Sequence, residues 1–275
     1  MSNFFKSARN TLDSVKIPDI QMIHSKRHGE ILRLLNEEGT ITIAKLAERL
    51  GVSLETVRRD VKPLTDDGSV LKMHGAVGLA ALGGEAPFER RMRENAEAKR
   101  LVARMVAATI RDGESIMLDS GTTTSFLARE LLGHRRLTVV TNSSDIARTL
   151  ATVNGNKVYM AGGELRSDLG AALGVSAIDF ISRFSVSHAV ISIGAVDVTA
   201  GLTDYDLEEA EFARMVLSRG QRSMIITDHT KFGRQGLVRV CGFDGFSELA
   251  TDQAPPRDIA AALSQAGARL SIATA

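Results

Sequence analysis

A run of carboxylate, hydroxyl and glycine residues follows one apolar stretch and opens one helical pattern, a placement typical of an anion site. The run is Asp119, Ser120, Gly121, Thr122, Thr123 and Thr124, between the apolar Ile116–Leu118 and a helix through Phe126, Leu127, Leu131 and Leu132. The N-terminus of a helix offers unpaired N–H groups and a partial positive charge, so we expect this loop to bind a phosphate. Ordinary helix capping by the same residues is the alternative.

Four more polar or glycine-rich segments follow apolar stretches further along the chain. They are Thr141-Asn142-Ser143, Gly162-Gly163-Glu164-Leu165-Arg166, Gly194-Ala195 and Asp228-His229-Thr230-Lys231. In an open α/β sheet, ligands bind beyond the carboxyl ends of the strands, so the five strand ends are predicted to form one pocket. Lys231 is expected to supply positive charge to a phosphate there, although most lysines are simply solvated.

Acidic residues near this pocket raise the question of catalysis. Isomerisation of a sugar phosphate requires carboxylates positioned to move a proton between carbons. The Gly194-Ala195 turn has apolar neighbours on both sides, and Asp197, Asp204 and Asp206 beyond it are more typical of turn capping and solvation. We therefore expect a site that holds a ligand without catalytic residues. Neither a metal set nor a dinucleotide fingerprint is found, so no metal and no cofactor are expected.

A second group of residues has the types and spacing of a DNA-reading helix. After the turn Gly51-Val52-Ser53, the inward positions are Leu54, Val57, Val61 and Leu64, and the cap and outward positions are Ser53, Thr56, Arg58, Arg59 and Lys62. A basic helix of this kind fits the major groove, where arginine reads guanine and neutralises phosphate. The next segment, 68–75, predicts a hairpin, from which Lys72 and His74 are expected to contact backbone phosphates. A solvated basic face is the alternative.

The elements that position these residues follow from hydrophobic spacing. Helices are predicted at about His28–Glu38, after Thr42 and after Ser53. Apolar strands are predicted at Ser115–Leu118, Leu137–Val140, Lys157–Met160, Ala189–Ile193, Ser223–Thr227 and Glu248–Thr251. Strands alternating with helices predict an α/β domain with a mainly parallel sheet. The predicted domains are a flexible extension (1–22), a winged helix-turn-helix (23–78), a linker (79–96) and an effector-sensing α/β domain (97–272).

Composition sets broad limits on the class of protein. The chain has 275 residues, 44% hydrophobic, and a net charge of +1. Its first 80 residues have a net charge of +2, from 12 basic and 10 acidic side chains, so DNA binding depends on the placement of charge and not on its total. No apolar run has the length of a membrane span, and the single Cys241 suits a reducing cytoplasm.

The helix-turn-helix segment resembles the signature of the DeoR family of bacterial repressors. The matching residues are Ser53-Leu54-Glu55-Thr56-Val57-Arg58-Arg59-Asp60, then Leu64, Gly68 and Lys72-Met73-His74-Gly75. Two positions depart from the family pattern. Ala76 stands where a second glycine is usual, and Pro63 interrupts the expected reading helix, where it removes one helical hydrogen bond.

The second half of the chain resembles the sensor domain of the same family. The matching segments are Asp119–Thr124, Thr141-Asn142, Gly162-Gly163, Gly201-Leu202, Glu208–Glu211 and Lys231-Phe232-Gly233. The resemblance implies the fold of ribose-5-phosphate isomerase, and Asp204 and Glu208 are included among the predicted effector-binding residues. It also implies operator DNA as a partner, a homodimer or homotetramer, and a phosphorylated sugar or glycerol 3-phosphate as effector. A sugar-phosphate isomerase with an added DNA-binding domain is the alternative.

Overall fold

The chain folds into two compact units, Met1–Leu82 and Gly83–Ala275. The computed structural model describes residues 20–38, 40–66, 70–73, 75–79 and 85–274. The division between the units falls inside the predicted linker, 79–96. Residues from 85 onward, however, belong to the second unit and include helical structure, so only part of the predicted linker lies between the two units.

The first unit contains three helices and a small antiparallel sheet. Its elements are α1 (Ile20–Glu38), β1 (Thr40–Thr42), α2 (Ile43–Leu50), α3 (Leu54–Asp66), β2 (Val70–Met73) and β3 (Ala76–Leu79). The strands lie in the order β1-β3-β2. One apolar cluster joins the three helices and the sheet, and Ile31, Leu35, Leu46 and Val57 in it are fully buried. Three helices followed by a hairpin are a winged helix-turn-helix arrangement.

Three local predictions for this unit differ from the structure. The first helix begins at Ile20 and not at about His28, so it includes residues from the predicted extension 1–22, whose first nineteen residues lie outside the described part. The hairpin is longer than residues 68–75: Met73 pairs with Ala76, and Gly75 adopts a φ of 83° in the turn. Ala76 therefore begins the returning strand, where a side chain is acceptable. Pro63 is exposed within α3 and does not end it.

The second unit is built on a seven-stranded, fully parallel sheet. Its strands are β4 (Ser115–Leu118), β5 (Thr138–Thr141), β6 (Lys157–Met160), β9 (Val186–Ser192), β12 (Gly220–Ile226), β14 (Glu248–Thr251) and β15 (Arg269–Ile272). Its helices are α4 (Phe88–Arg93), α5 (Ala96–Ala107), α6 (Thr122–Glu130), α7 (Ser144–Leu150), α8 (Val175–Ile181), α9 (Leu207–Ser218) and α10 (Arg257–Gln265). The predicted mainly parallel sheet is confirmed.

Helices cover both faces of this sheet, because its strands alternate apolar side chains between two cores. Ile116 and Leu118 pack with α5, α6 and α7, whereas Met117 between them packs on the opposite side with α8, α9 and α10. A sheet buried on both faces requires apolar strands, and the buried positions of the central β4 and of the end of β12 are apolar. Short strands outside the main sheet were not predicted. They form the pair β7 (Leu165–Arg166) and β8 (Ala171–Ala172), and the sheet of β10 (Ala195–Asp197), β11 (Gly201–Asp204) and β13 (Val238–Cys241).

The strand order places a ligand crevice at one point of the sheet edge. The order is β15-β14-β12-β9-β4-β5-β6, so the chain runs from β4 through β5 to β6 and then returns to the other side of β4 with β9. Helices that leave neighbouring strands in opposite directions open a crevice at their carboxyl ends. Asp119 follows β4 and Ile193 follows β9, so both the predicted anion loop and the Gly194 turn lie at this switch point.

Candidate functional sites

The helix pair α2–α3 is fixed at its ends by local hydrogen bonds that the sequence predicts. Thr42 caps α2 by accepting a bond from the Lys45 N–H at 3.2 Å, and Ser53 caps α3 by accepting one from the Thr56 N–H at 3.1 Å. Gly51 ends α2 with a φ of 62°, in the left-handed region. Glycine adopts this conformation with little strain because it has no Cβ. These caps define the turn from which α3 begins.

The outer face of α3 carries exposed basic side chains. Arg58, Arg59 and Lys62 are exposed, and Arg58 makes only a loose ion pair with Glu55, at 3.6 Å. Thr56 is half-buried, and its hydroxyl lies 2.8 Å from that of Ser53. Lys72 lies on β2, but its side chain and the whole of His74 lie outside the described residues, so their predicted phosphate contacts stay predictions.

A buried ion pair fixes the inner face of α3 and was not predicted. Asp60 has no exposed surface and accepts a bond from Arg27 Nε on α1 at 2.7 Å. The bond also holds the Arg27 pKa above its ordinary value. A carboxylate costs free energy to bury unless it is paired, so this contact constrains how α3 lies on α1. The signal in the sequence was the position of Asp60 between the inward Val57 and Val61.

In the second unit, Asp119 organises the predicted anion loop from within. Its carboxylate accepts bonds from the Thr124 hydroxyl at 2.6 Å, the Gly121 N–H at 3.2 Å and the Ser192 N–H at 2.9 Å. Burial raises the pKa of Asp119 to about 6, against the lowering effect of these bonds. Asp119 therefore ties the end of β4 to the end of β9, and its acceptor capacity is used inside the protein.

The rest of the loop leaves donors available. Gly121 has no side chain because a Cβ there would lie 1.6 Å from Ser192 Oγ. The hydroxyls of Ser120, Thr122 and Thr123 make no hydrogen bond within the described part of the chain, although the three residues are buried. The first N–H groups of α6 lack helical partners as at any helix start. Loop and helix together offer an anion both N–H and O–H donors.

The remaining predicted strand-end residues differ in their surroundings. Thr141 Oγ1 accepts the Ser143 N–H, and Asn142 donates to the Ala172 carbonyl while its own Oδ1 is buried without a partner among the described residues. Gly162 and Gly163 are exposed. Glu208 is also exposed, and its neighbour Glu209 is the one that lies near Asp204.

Two acidic residues follow the Gly194 turn: Asp204, which is buried beside it, and Glu209 on α9, which is half-buried. A Cβ on Gly194 would lie 2.8 Å from Asp204 Oδ1, so only glycine allows this approach. Burial, and then the negative charge of Glu85, raises the Asp204 pKa to about 7. Burial and the charge of Asp204 raise the Glu209 pKa to about 8. Near neutral pH these carboxyls can therefore donate as well as accept hydrogen bonds, which suits ligand hydroxyls.

Positively charged side chains surround the carboxylate of Glu85. Glu85 Oε1 accepts a bond from Lys231 Nζ at 2.5 Å, and Glu85 Oε2 is paired with Arg91 of α4. Lys99 of α5 is 4% exposed and donates to the Arg91 carbonyl oxygen. Burial lowers the Lys99 pKa to about 8. Lys231 is thus already paired with a residue from the predicted linker, and its contact with a phosphate stays a prediction.

Glu85, Arg91, Lys99 and Glu209 were not predicted as site residues. For Lys99 a signal existed, because it precedes the buried Val102, Ala103 and Val106 at helical spacing and so falls on an apolar stripe. No such sequence signal exists for Glu85 and Arg91, because the composition of their segment predicts a linker. Arg166 on β7 was not expected to pair with α9 either, but it contacts Asp206 at 3.0 Å and Glu209 at 3.7 Å.

The second unit therefore combines donors for an anion with carboxyls for hydroxyl groups. Asp119 accepts the Ser192 N–H, two residues before the Gly194 turn that Asp204 approaches, and α4, which carries Arg91, packs on α6, the helix that the loop opens. In the part of the chain that is described, no group of His, Cys, Asp and Glu side chains is arranged to hold a metal ion. Nor does any described helix combine the length and apolar character needed to cross a membrane.

Comparisons with known proteins agree with this division of the chain. A DeoR-like helix-turn-helix domain matches residues 27–81, and a DeoR C terminal sensor domain matches residues 94–253. The glycerol-3-phosphate regulon repressor of Escherichia coli is 32% identical over 235 residues, which are 86% of this chain and 93% of that protein. The transcriptional repressor CsqR of Escherichia coli is 33% identical over 236 residues, 86% of this chain and 90% of that one.

A solved structure shows a weaker likeness. Ribose 5-phosphate isomerase A of Methanocaldococcus jannaschii has 16% identity and a TM-score of 0.38, over 50% of this chain and 55% of that one. The family models and the repressors, by contrast, cover most of the chain. On that basis the chain belongs to the DeoR family.

Proposed function

We propose that the protein is a sequence-specific transcriptional repressor of a carbohydrate or glycerol catabolic operon, controlled by a phosphorylated metabolite such as glycerol 3-phosphate. The observation that carries this is the presence in one chain of an exposed basic helix and a buried site with free anion donors. The names of the related repressors support glycerol 3-phosphate as the first effector to test.

In the DNA-binding unit, α3 enters the major groove of operator DNA. Arg58 and Arg59 contact base edges, and Lys62 neutralises a phosphate. The caps at Thr42 and Ser53 support this arrangement because they fix the start of α3 without using its outer face. We further propose a homodimer or homotetramer in the cytoplasm, with each α3 reading one half of an operator.

In the sensing unit, the effector phosphate binds at Ser120–Thr124 with Lys231 nearby, and the effector hydroxyls bond to Asp204 and Glu209. A phosphate monoester carries close to two negative charges and three acceptor oxygens, which matches several donors at once. The matching donors are the unpaired hydroxyls and the first N–H groups of α6. Effector binding shifts DNA affinity only if it differs between the DNA-competent and DNA-incompetent states.

An isomerase is the second candidate, and one observation favours it. The pKa values of Asp204 and Glu209, about 7 and about 8, suit general acid–base catalysis near neutral pH. The repressor relatives support a switch without turnover. Both the repressor and the isomerase require a phosphorylated ligand. One experiment that measures ligand stabilisation and product formation therefore separates them.

That experiment compares the wild type with Thr123→Val. Glycerol 3-phosphate and a panel of pentose and hexose phosphates are tested for thermal stabilisation and for product formation. We expect one of them to stabilise the wild type without turnover. Thr123→Val should lose the stabilisation, because the change removes a donor hydroxyl and sets a methyl against the anion.

Operator affinity of Thr123→Val should equal that of the wild type, because α3 is untouched. Thr138→Val, on the half-buried first position of β5, is a control with the same loss of a hydroxyl away from the loop. A normal effector response in Thr123→Val would exclude the loop as the phosphate site. Steady product formation that disappears in Asp204→Asn would favour the isomerase.

A further inference from the structure

A carboxylate of the protein itself is surrounded by three positively charged side chains in the second unit. Glu85 accepts a bond from Lys231 Nζ at 2.5 Å and is paired with Arg91, while its side chain is only 15% exposed. Lys99 adds a third positive charge that acts on the same carboxylate. Burial opposes ionisation, but Arg91 and Lys231 hold the Glu85 pKa below its ordinary value, so the group is an anion at neutral pH.

This anion lies where a ligand anion would be favoured. Arg91, which pairs with Glu85, lies on α4, and α4 packs on α6, the helix that the predicted phosphate loop opens. Arg91 Nε is buried without a hydrogen-bond partner among the described residues, so the cations offer more donors than Glu85 uses. A phosphate with three oxygens can satisfy donors that one carboxylate leaves unpaired.

The position of Glu85 in the chain gives its displacement a consequence. It is the first described residue of the second unit, and five residues, 80–84, separate it from the end of β3. The segment it begins continues into α4, whose Phe88 N–H donates to the Asp168 carbonyl at 3.4 Å, next to β7. Release of Glu85 therefore frees the stretch of chain that leads directly to the DNA-binding unit.

We propose that Glu85 is a built-in competitor of the effector, which binds Lys231 and Arg91 in the free protein and is displaced by the effector phosphate. This inference rests on the proposed function of the second unit. A tethered carboxylate acts at a high effective concentration, so it weakens effector binding without abolishing it. The exchange of one anion for another couples occupancy of the site to the conformation of residues 85–93.

The first test measures the affinity of Glu85→Gln for glycerol 3-phosphate and inorganic phosphate by calorimetry. If Glu85 is paired with the cations about nine-tenths of the time, only about one-tenth of the protein is free to bind the ligand. Removing the charge of Glu85 should then tighten binding about tenfold, because apparent affinity is proportional to the fraction of protein that can bind. Without ligand, the operator affinity of Glu85→Gln should already match that of the ligand-bound wild type. Glu89→Gln, an exposed glutamate on α4, loses the same charge and should behave as the wild type.

A second measurement uses the unaltered protein and does not depend on the folding of a variant. Hydrogen exchange with and without glycerol 3-phosphate should show faster exchange at residues 85–93 and slower exchange at the start of α6 when the ligand binds. Slower exchange at both segments would contradict displacement of Glu85.

The two proposals fail in distinguishable ways. If the wild type binds either anion but Glu85→Gln binds it equally or more weakly, Glu85 is a structural tie and this inference is wrong. If the wild type binds neither anion while it still binds operator, the proposed effector class is wrong, and this inference fails with it.

Discussion

At the scale of single residues, the buried carboxyls determine the electrostatics of the sensing site. Asp204 and Glu209 have pKa values of about 7 and about 8, far above the 3.8 and 4.5 of free side chains. Burial is the main cause of both shifts, and neighbouring negative charge adds to it. The groups that face this pair from neighbouring elements are Glu85, Arg91, Asp119 and Arg166. The protein thus keeps acids at the site where we propose that an anion binds.

These shifts predict that the second unit loses stability as pH rises. An acid with a raised folded pKa is protonated in the folded state while already charged in the unfolded state, so the free energy of unfolding falls between about pH 4 and pH 7 to 8. Asp204→Asn should flatten this dependence, because asparagine stays neutral and keeps the acceptor for the Tyr205 N–H.

Urea denaturation of the wild type and Asp204→Asn at several pH values from 5 to 8 measures the effect. Asp179→Asn, on an exposed position of α8, is the matched control and should follow the wild type. Parallel curves for the wild type and Asp204→Asn would show that Asp204 has an ordinary pKa in the folded protein.

At the scale of elements, α3 shows how one helix serves two purposes. Its inner face packs Val57, Val61 and Leu64 into the core and buries Asp60 against Arg27. Its outer face presents Arg58 and Arg59, and neither side chain is needed to hold the helix in place. Substitutions on the outer face should therefore change DNA binding without changing stability.

The corresponding prediction concerns Arg58→Ala and Arg59→Ala. Each should weaken operator binding by about 1–3 kcal/mol if the arginine makes a good base contact, and the double variant should lose most of the specificity. Gel-shift titration at fixed salt measures this. Arg33→Ala removes an exposed arginine of α1 that pairs with Glu30 and Glu37, and it should leave operator affinity nearly unchanged. Equal affinities for all the variants would exclude α3 as the reading helix.

At the scale of the whole molecule, one chain carries one proposed reading helix and one proposed effector site. A single helix-turn-helix offers little contact with DNA, and proteins of this type pair over half-sites one helical turn apart. The second unit has two exposed sheet edges, β6 and β15, and exposed apolar side chains that include Leu237, at 86%, and Val175, at 76%. These features suit association through the sensing unit.

We therefore expect a dimer or tetramer in solution. Sedimentation equilibrium at micromolar concentration should give a mass of two or four chains of 29.6 kDa, with or without operator DNA. Removal of the first unit should leave this assembly intact. A monomer that binds operator with full affinity would contradict the proposed pairing.

The sequence by itself determined the elements whose signals are local. Capping residues, apolar spacing and glycine turns identified α2, α3, the loop that opens α6 and most strands of the main sheet, because each depends on neighbours a few residues apart. The same signals gave the wrong start for the first helix. They also missed the edge strand β15 and the short sheet of β10, β11 and β13, in which β13 pairs with β11 from a distant part of the chain.

Only the tertiary structure decided the roles of individual charges. Glu85 and Lys231 are 146 residues apart, and Arg27 and Asp60 are 33 apart, so no local pattern relates them. Asp119 was predicted as part of the effector-binding loop, and folding directs its carboxylate to Ser192, Gly121 and Thr124. Whether a charge is exposed, paired or buried depends on which distant residue fills the space around it, and the fold alone sets that neighbour.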